Sequence, residues 1–505
     1  MNQHDNTGAG ATALKTYKML IDGEWVDAAG GETFESSNPY TGEPWASIPR
    51  GRAADAERAV EAAHRAFTSG EWPKLNATQR GHLIRRLGDL IAANAESLAR
   101  TEVRDNGKLI NEMLGQVRYI PQWYHYFAGL ADKLEGSVLP IDKPDTFNFT
   151  RHEPLGVCVA ITAWNSPLLL AAYKLAPGLA AGNTFVLKPS EFTSASALEF
   201  ARLIEEAGFP KGVVNVVTGF GLEVGEPLVT HKKVAKVAFT GSEGGGQRIY
   251  EAAARDFKKV TLELGGKSAN IVFDDADLDN AVKGAISGIF AATGQTCIAG
   301  SRLLVQRSIH DAFVEKLVTF AKTARMGDPQ ETTTQVGPVT TPPQYKKILD
   351  YIEIAKNEGA NCILGGGAAN RPECGKGLFV EPTIFSGVNN SMRIAQEEVF
   401  GPVLAIIPFE DEEEAIAIAN DSNYGLAAGV WTSNVGRMLR MSSRLEAGTV
   451  WVNMYRAVSY MSPFGGYKRS GVGRENGKES IQDYLQTKSV WINTSGEVAD
   501  PFVMR

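Results

Sequence analysis

A chain of 505 residues is too long for a single core, which implies two or three domains. Its formal net charge of −7 argues against a nucleic-acid backbone as partner, since that takes a basic surface. Hydrophobic content of 43% with 22% charged residues is ordinary for a soluble globular enzyme, and 52 glycines point to many tight turns.

The first nineteen residues lack a basic start followed by an apolar core, so no secretory signal is expected. No apolar run reaches the roughly 18 residues that cross a bilayer, and the chain reads as cytoplasmic. The first 130 residues read as mostly helical. Apolar residues at three- and four-residue intervals predict amphipathic helices over 53–69 and 78–107, the second stopped by Asn106-Gly107. Prolines, charges and a period-two alternation over Phe147, Phe149 and Arg151 then predict an extended excursion over 133–153.

From residue 156 the texture alternates. "GVCVAITAW", "NTFVLKPS", "GVVNVVTG", "VAKVAFTG" and "KVTLEL" read as strands, separated by helices at 167–181, 194–207, 223–231 and 246–257. Continuous apolar strands alternating with helices predict a parallel sheet covered on both faces, with ligands at the carboxyl ends of its strands. A second alternating block follows, with "SANIVF", a helix at 277–292, "RLLVQR", a helix at 309–325 and further α/β texture over about 345–470. The segment "IQDYLQTKSVWINTSG" reads as an extended terminal arm. The fold class is therefore α/β, with two doubly wound domains and an arm.

Glycine-rich turns sit at two strand ends. "GFGLEVG" (219–225) falls one residue outside the G-x-G-x-x-G spacing, and "GSEGGG" (241–246) opens a helix. Either turn can aim backbone N–H groups at a pyrophosphate. In "KPSE", Lys188 is placed for a ribose or phosphate, and Glu191 for ribose hydroxyls in a way that would repel a 2′-phosphate.

Four cysteines, Cys158, Cys297, Cys362 and Cys374, show no CxxC spacing and no His-rich companion, so neither a metal site nor a disulfide framework is expected. Cys297, in "GQTCIAGSR", stands apart as a candidate nucleophile, which calls for a nearby base or positive dipole. None of the seven histidines is close in sequence. Glu263 is a better candidate. Val260, Leu262 and Leu264 share one face of their strand, so Glu263 faces the other way, and the two glycines after it allow close approach. Asn165, at the end of "ITAWNSP", carries an amide able to donate to an oxyanion.

The series "ITAWNSP", "KPSE", "FTGS", "LELGGK", "GQTCIAGSR", "EEVFGPV", "NYGLAAGVWT" and "PFGGYKRSGVGRE", in this order and spacing, resembles the NAD(P)-dependent aldehyde dehydrogenase family of the non-acylating, hydrolytic type. The likeness runs from about residue 18 to 492. It implies that Cys297 attacks an aldehyde to form a thiohemiacetal, with the oxyanion held by Asn165 and the Cys297 backbone N–H. Hydride then passes to a nicotinamide, and Glu263 activates the water that hydrolyses the thioester. Glu475 matches a second family acid with a proton-relay role. The resemblance also implies NAD bound by Lys188 and Glu191 at the adenosine ribose, Gly241 and Ser242 at the pyrophosphate, and Glu398 and Phe400 on the nicotinamide side. Ile161, Trp164, Ser190, Gly221, Gly225, Phe239 and Leu264 complete that cleft. NADP is disfavoured by the Glu191 carboxylate. The family organisation implies an NAD-binding domain over 1–132 and 152–262, a catalytic domain over 263–475, and an arm over 133–151 and 484–500 that makes a homodimer or homotetramer. Glu263 counts against a coenzyme-A-acylating or phosphorylating relative, and the presence of Cys297, Glu263 and Asn165 together counts against an inactive binding protein.

Departures from the family bear on substrate. Ser166, Ala291 and Val458 stand where members acting on small aldehydes carry aromatics. A wider tunnel follows, walled by Ser166, Leu170, Tyr173, Ala291, Thr296, Ile298, Val458 and Phe464. Arg118 and Arg456 are candidates to pair with a substrate carboxylate near its mouth. The expected substrate is a bulky aromatic or heterocyclic aldehyde, or a ring-derived semialdehyde.

Overall fold

The computed structural model describes residues 14–498 and 500–503. Residues 1–13 of the expected cofactor domain and residue 499 of the expected arm lie outside the described residues.

An eight-stranded sheet runs in the order Gly471–Val472, Lys259–Glu263, Val234–Thr240, Val157–Ile161, Thr184–Lys188, Val214–Val216, Met19–Ile21, Glu24–Val26. Its five central strands are parallel. Every residue of Val157–Ile161 and Thr184–Lys188 is buried, as a continuous apolar strand requires when helices cover both faces. From Val157–Ile161 the chain winds one way to 184–188 and 214–216, then returns to 234–240 and 259–263 on the other side. The order therefore reverses between 157–161 and 234–240, and that gap is where such sheets bind ligands.

A seven-stranded sheet follows in the order Asn361–Leu364, Thr383–Ser386, Val403–Phe409, Arg302–Gln306, Ala269–Val272, Ala427–Trp431, Thr449–Val452. All of its pairings are parallel except the edge strand Asn361–Leu364. Thr146–Pro154 and Leu485–Asn493 pair antiparallel along their length as a separate two-stranded ribbon. Among the described residues no helix is long and apolar enough to cross a membrane.

Several expectations need correction. Residues 15–49 are not helical. They form five short strands, of which Pro44–Pro49 is flanked by Lys15–Thr16 and Thr33–Ser37 in a sheet of their own. The missed signal is Asp22-Gly23: both residues take positive φ, 56° and 69°, and close the hairpin joining Met19–Ile21 to Glu24–Val26. The predicted helix over 78–107 is two helices, Ala77–Ala93 and Ala95–Asn106, separated at Asn94. The helix expected at 223–231 is a wide turn over Gly221–Gly225 followed by one short helix, Glu226–Thr230. The helix expected at 246–257 is Glu243–Ala254, starting three residues early because the Ser242 side chain accepts the Gly245 N–H and caps it. The helix expected at 309–325 ends at Ala321. The terminal arm begins with a 3₁₀ segment, Lys478–Tyr484, before its strand. Finally, Gly471–Val472 returns to pair with Leu262 and Glu263, so a piece of the later segment closes the edge of the first sheet.

Candidate active site

The loop bearing Cys297 is shaped by its backbone. The helix expected over 277–292 stops at Ile289, and the chain then turns through Ala292 and Thr293, both in the left-handed region at φ 52° and 54°. That conformation costs non-glycine residues energy and persists where neighbours enforce it. Here Glu112 accepts the Ala292 N–H at 2.8 Å, and the Thr293 hydroxyl donates to the Gly337 carbonyl at 3.1 Å. The turn leaves Cys297 half-buried at the wall of a cleft of about 370 Å³. Burial pushes its thiol up to about 12, and the Glu263 and Glu398 carboxylates push the same way.

Asn165 and Glu263 line the same cleft. Asn165 is 8% exposed, and its amide nitrogen donates to the Gln295 carbonyl at 3.1 Å. An amide has two N–H groups, so one is left for a substrate oxygen. Glu263 ends its strand at 3% exposure, not in solvent, and neither carboxylate oxygen has a hydrogen-bond partner in the protein. Burial holds its carboxyl well above the usual carboxylate range, with Glu475 reinforcing the rise. The glycines after it meet a specific need. A Cβ on Gly265 would lie 2.6 Å from the Glu398 carboxylate, and one on Gly266 would lie 2.5 Å from the Cys297 carbonyl.

Glu475 does not line the cleft. It lies behind Glu263, 3% exposed, and accepts a hydrogen bond from the fully buried Lys174 ammonium at 2.5 Å. Lys174 also donates to the Thr240 hydroxyl at 2.7 Å. Glu475 is fixed by a reciprocal backbone pair with Phe464, at 2.6 and 2.7 Å. Sequence reasoning missed Lys174, because nothing about a lysine inside the apolar helix Pro167–Ala181 tells which acid it meets.

Most of the expected cofactor residues converge. Ile161, Trp164, Lys188, Ser190, Glu191, Gly221, Phe239, Gly241, Ser242, Leu264, Glu398 and Phe400 all line the cleft. Gly225 does not; it packs against the Lys188 stem, where a Cβ would sit 3.6 Å away. The arrangement suits an extended, polar, anionic ligand. Ser242 opens a twelve-residue helix whose first N–H groups face the cleft end of its strand. A Cβ on Gly221 would meet nothing within 4 Å, so the backbone there is open to approach. Lys188 is buried, and its ammonium lies 3.8 Å from Glu191. Glu398 accepts the Gly266 N–H at 3.0 Å, and Phe400 meets Trp164 edge-on at 5.3 Å. Among the described residues the only close His/Cys/Asp/Glu group is Glu57, Glu61 and His231, on the surface away from this cleft.

Of the expected tunnel residues only Leu170 lines this cleft. Ser166 is buried, and its hydroxyl accepts from the Lys108 ammonium at 2.8 Å. Tyr173 stacks on Trp123 at 5.3 Å and meets Phe464 at 6.2 Å, while Tyr460 approaches Trp123 at 5.8 Å. Val458 is half-buried and packs against the large hydrophobic core that contains Trp123, Tyr173 and Phe464. Ala291 sits in the turn before the nucleophile, Thr296 is half-buried beside it, and the Ile298 carbonyl accepts from Tyr455 at 3.1 Å. Arg118 is exposed, and Arg456, at φ 67°, donates to the Ser287 carbonyl at 3.3 Å. Lys108, Trp123 and Tyr460 were missed because they come from helices and loops distant in sequence, with no motif to mark them.

The geometry agrees with what the chain is similar to. A family model described as the aldehyde dehydrogenase family matches residues 25–490. A relative from Acinetobacter baylyi named (Z)-2-((N-methylformamido)methylene)-5-hydroxybutyrolactone dehydrogenase is 47% identical, covering 97% of this chain and 100% of its own. Human retinal dehydrogenase 2 is 45% identical, over 95% of this chain and 92% of its own. A crystal structure of betaine aldehyde dehydrogenase from Staphylococcus aureus in complex with NAD+ superposes with a TM-score of 0.95 at 44% identity, covering 96% of this chain and 97% of that one. With a cysteine, an amide and a carboxylate meeting at the switch point of a doubly wound sheet, and with these matches over nearly its whole length, this chain belongs to the aldehyde dehydrogenase family.

Proposed function

We propose that the protein oxidises a bulky aldehyde to its carboxylic acid with NAD, by covalent catalysis at Cys297 and hydrolysis by water. The observation that carries this reading is the meeting of Cys297, Asn165 and Glu263 in one cleft with Lys188, Glu191, Gly241, Ser242, Glu398 and Phe400. The Cys297 thiol adds to the aldehyde carbon: the C–S bond forms as the S–H bond breaks, and the thiol proton passes to water. The free N–H of Asn165 and the Cys297 backbone N–H stabilise the oxyanion of the thiohemiacetal. NAD, when bound, accepts the hydride that leaves this carbon. Glu263 then takes a proton from the water that attacks the resulting thioester, and the C–S bond breaks to release the carboxylic acid and return the Cys297 sulfur, which regains a proton. Its buried, unpartnered carboxylate with a raised pKa is suited to that task. The proton taken by Glu263 leaves by way of Glu475, whose carboxylate is held by the Lys174 ammonium, itself tied to the Thr240 hydroxyl.

Glu191 at the cleft rim favours a ribose hydroxyl over a 2′-phosphate, hence NAD over NADP. We assign the described residues of 1–132 and 152–262 to the cofactor-binding unit and 263–475 to the catalytic unit. The ribbon of Thr146–Pro154 and Leu485–Asn493, most of which falls within the expected arm, exposes Phe147, Trp491 and Ile492, apolar surface suited to a homodimer or homotetramer. On the substrate side, the Tyr173, Trp123, Tyr460 and Phe464 cluster favours a large, flat or ring-derived substrate. The Acinetobacter relative's name supports this class, because opening a 5-hydroxybutyrolactone ring yields an aldehyde and a carboxylate.

The test is NADH formation with NAD and no coenzyme A, over acetaldehyde, hexanal, benzaldehyde, a heteroaryl aldehyde and a carboxylated semialdehyde, with Cys297→Ala alongside. Turnover rising with substrate bulk and lost in the variant is expected. Turnover confined to small aldehydes would sink the substrate class, and turnover in Cys297→Ala would sink the mechanism.

A further inference from the structure

The proposed chemistry needs the Cys297 backbone N–H to point at the oxyanion, and none of the residues assigned a role above holds it there. Cys297 and Ile298 are the two central residues of a turn closed by the Ala299 N–H, which donates to the Thr296 carbonyl at 3.1 Å. That carbonyl belongs to the same peptide group as the Cys297 N–H. The Ala299 N–H in turn shares a peptide group with the Ile298 carbonyl, which accepts the Tyr455 hydroxyl at 3.1 Å. The hydroxyl, the 298–299 peptide and the 296–297 peptide therefore form one hydrogen-bonded chain, and its far end is the oxyanion donor. Such a chain fixes direction and polarises along its length.

The surroundings seat Tyr455 in this place. Three glycines leave room for it: a Cβ on Gly429 would lie 2.5 Å from the ring, one on Gly300 2.9 Å from the hydroxyl, and one on Gly288 3.4 Å from the ring. Asn453 and Arg456, which flank it, both take left-handed backbone, at φ 54° and 67°. Such conformations persist where neighbours enforce them. The Asn453 N–H donates to the Val430 carbonyl at 2.8 Å, and its side chain pairs with the Thr432 backbone at 2.9 and 3.0 Å. The Arg456 guanidinium donates to the Ser287 carbonyl at 3.3 Å. Trp451 packs on the Tyr455 ring at 4.8 Å and donates to the Ala457 carbonyl at 2.8 Å. Ser287 lies near the end of the helix Leu278–Ile289, where the Gly288 carbonyl accepts the Gly300 N–H at 3.0 Å. One helix end thus receives both the Tyr455 loop and the segment just after the nucleophile.

We propose that Tyr455 is a positioning residue for the oxyanion site: its hydroxyl, acting through two peptide groups, aims and polarises the Cys297 N–H. The proposal rests on aldehyde oxidation at Cys297 as argued above and names what holds its backbone donor.

The experiment compares wild type with Tyr455→Phe, which keeps the ring and removes only the hydroxyl. One readout is kcat/KM for NADH formation from NAD and benzaldehyde. The other is the rate of Cys297 alkylation by iodoacetamide, followed by mass spectrometry of the peptide that carries it. Removing an oxyanion donor outright costs roughly 10²–10³-fold, so losing its support through two peptides is expected to lower kcat/KM about tenfold. Alkylation displaces iodide from a saturated carbon and builds no oxyanion, so its rate stays within about twofold of wild type. A parallel fall in both rates would mean that the hydroxyl shapes the thiol's surroundings in general, and would overturn the proposal. An unchanged kcat/KM would overturn it as well. The loss in kcat/KM persists in an Asn165→Ala background, because it acts on the other donor; its disappearance there would contradict the assignment. These outcomes all leave aldehyde oxidation standing, whereas no NADH formation by wild type would overturn the proposed function and this role together.

Discussion

The two sides of Cys297 are built differently. The cofactor side is made of strand ends and one helix start: Ile161, Lys188, Phe239, Gly241 and Glu263 all lie at or just past the carboxyl ends of parallel strands in one sheet. The residues expected on the substrate side come from separate helices and loops: Ser166 just before Pro167–Ala181, Tyr173 on it, and Val458 and Phe464 on the loop after Thr449–Val452. Backbone geometry fixes the first, and side-chain choice fixes the second. Under the proposed function, a chemistry held by the sheet and a specificity held by helices and loops can therefore change independently.

Substitutions that act on the strand-end side are expected to cost most. Lys174→Met removes the cation from the fully buried pair with Glu475 and leaves an uncompensated acid next to Glu263. A loss of about 3–5 kcal/mol in stability is expected, read as a lower denaturation midpoint at unchanged slope. A loss below about 1 kcal/mol would mean that the buried pair adds little to stability. Asn165→Ala removes the side-chain oxyanion donor, and kcat/KM should fall roughly 10²–10³-fold with little change in NAD affinity. A fall of less than about fivefold would shift oxyanion stabilisation to the backbone alone. The smallest effect is expected at the rim. Glu191→Ala narrows the NAD-over-NADP preference in kcat/KM by about tenfold, because a 28% exposed carboxylate acts through screened charge. An unchanged preference would assign cofactor choice to another residue.

The same contrast explains what could be read from sequence. Alternation of apolar strands and helices made the five central parallel strands legible, and strand-end glycines, Lys188, Glu191 and Glu263 were legible because their positions follow from period and turn chemistry. Glu263 was placed on the correct face by its neighbours Val260, Leu262 and Leu264, while its depth of burial came only from packing against Gly465 and the strand Gly471–Val472. The Asp22-Gly23 hairpin carried a local signal that was passed over, because its strands are only three residues long. The break at Asn94 and the early stop at Ile289 are tertiary outcomes: in both, apolar spacing continues through the point where the helix ends. Ser166 was legible as small, but its partner Lys108 was not, because that residue is far away in sequence and no local pattern announces the contact.

The central claim is that Cys297 forms a covalent acyl intermediate whose hydrolysis depends on Glu263. Stopped-flow NADH formation by Glu263→Gln, mixed with NAD and a benzaldehyde-sized aldehyde, tests it directly. A rapid burst approaching one NADH per site followed by turnover about 10²–10⁴-fold slower than wild type is the expected result, since the carboxylate acts after hydride transfer. A steady state as fast as wild type, or a variant that loses the burst along with turnover, would contradict it.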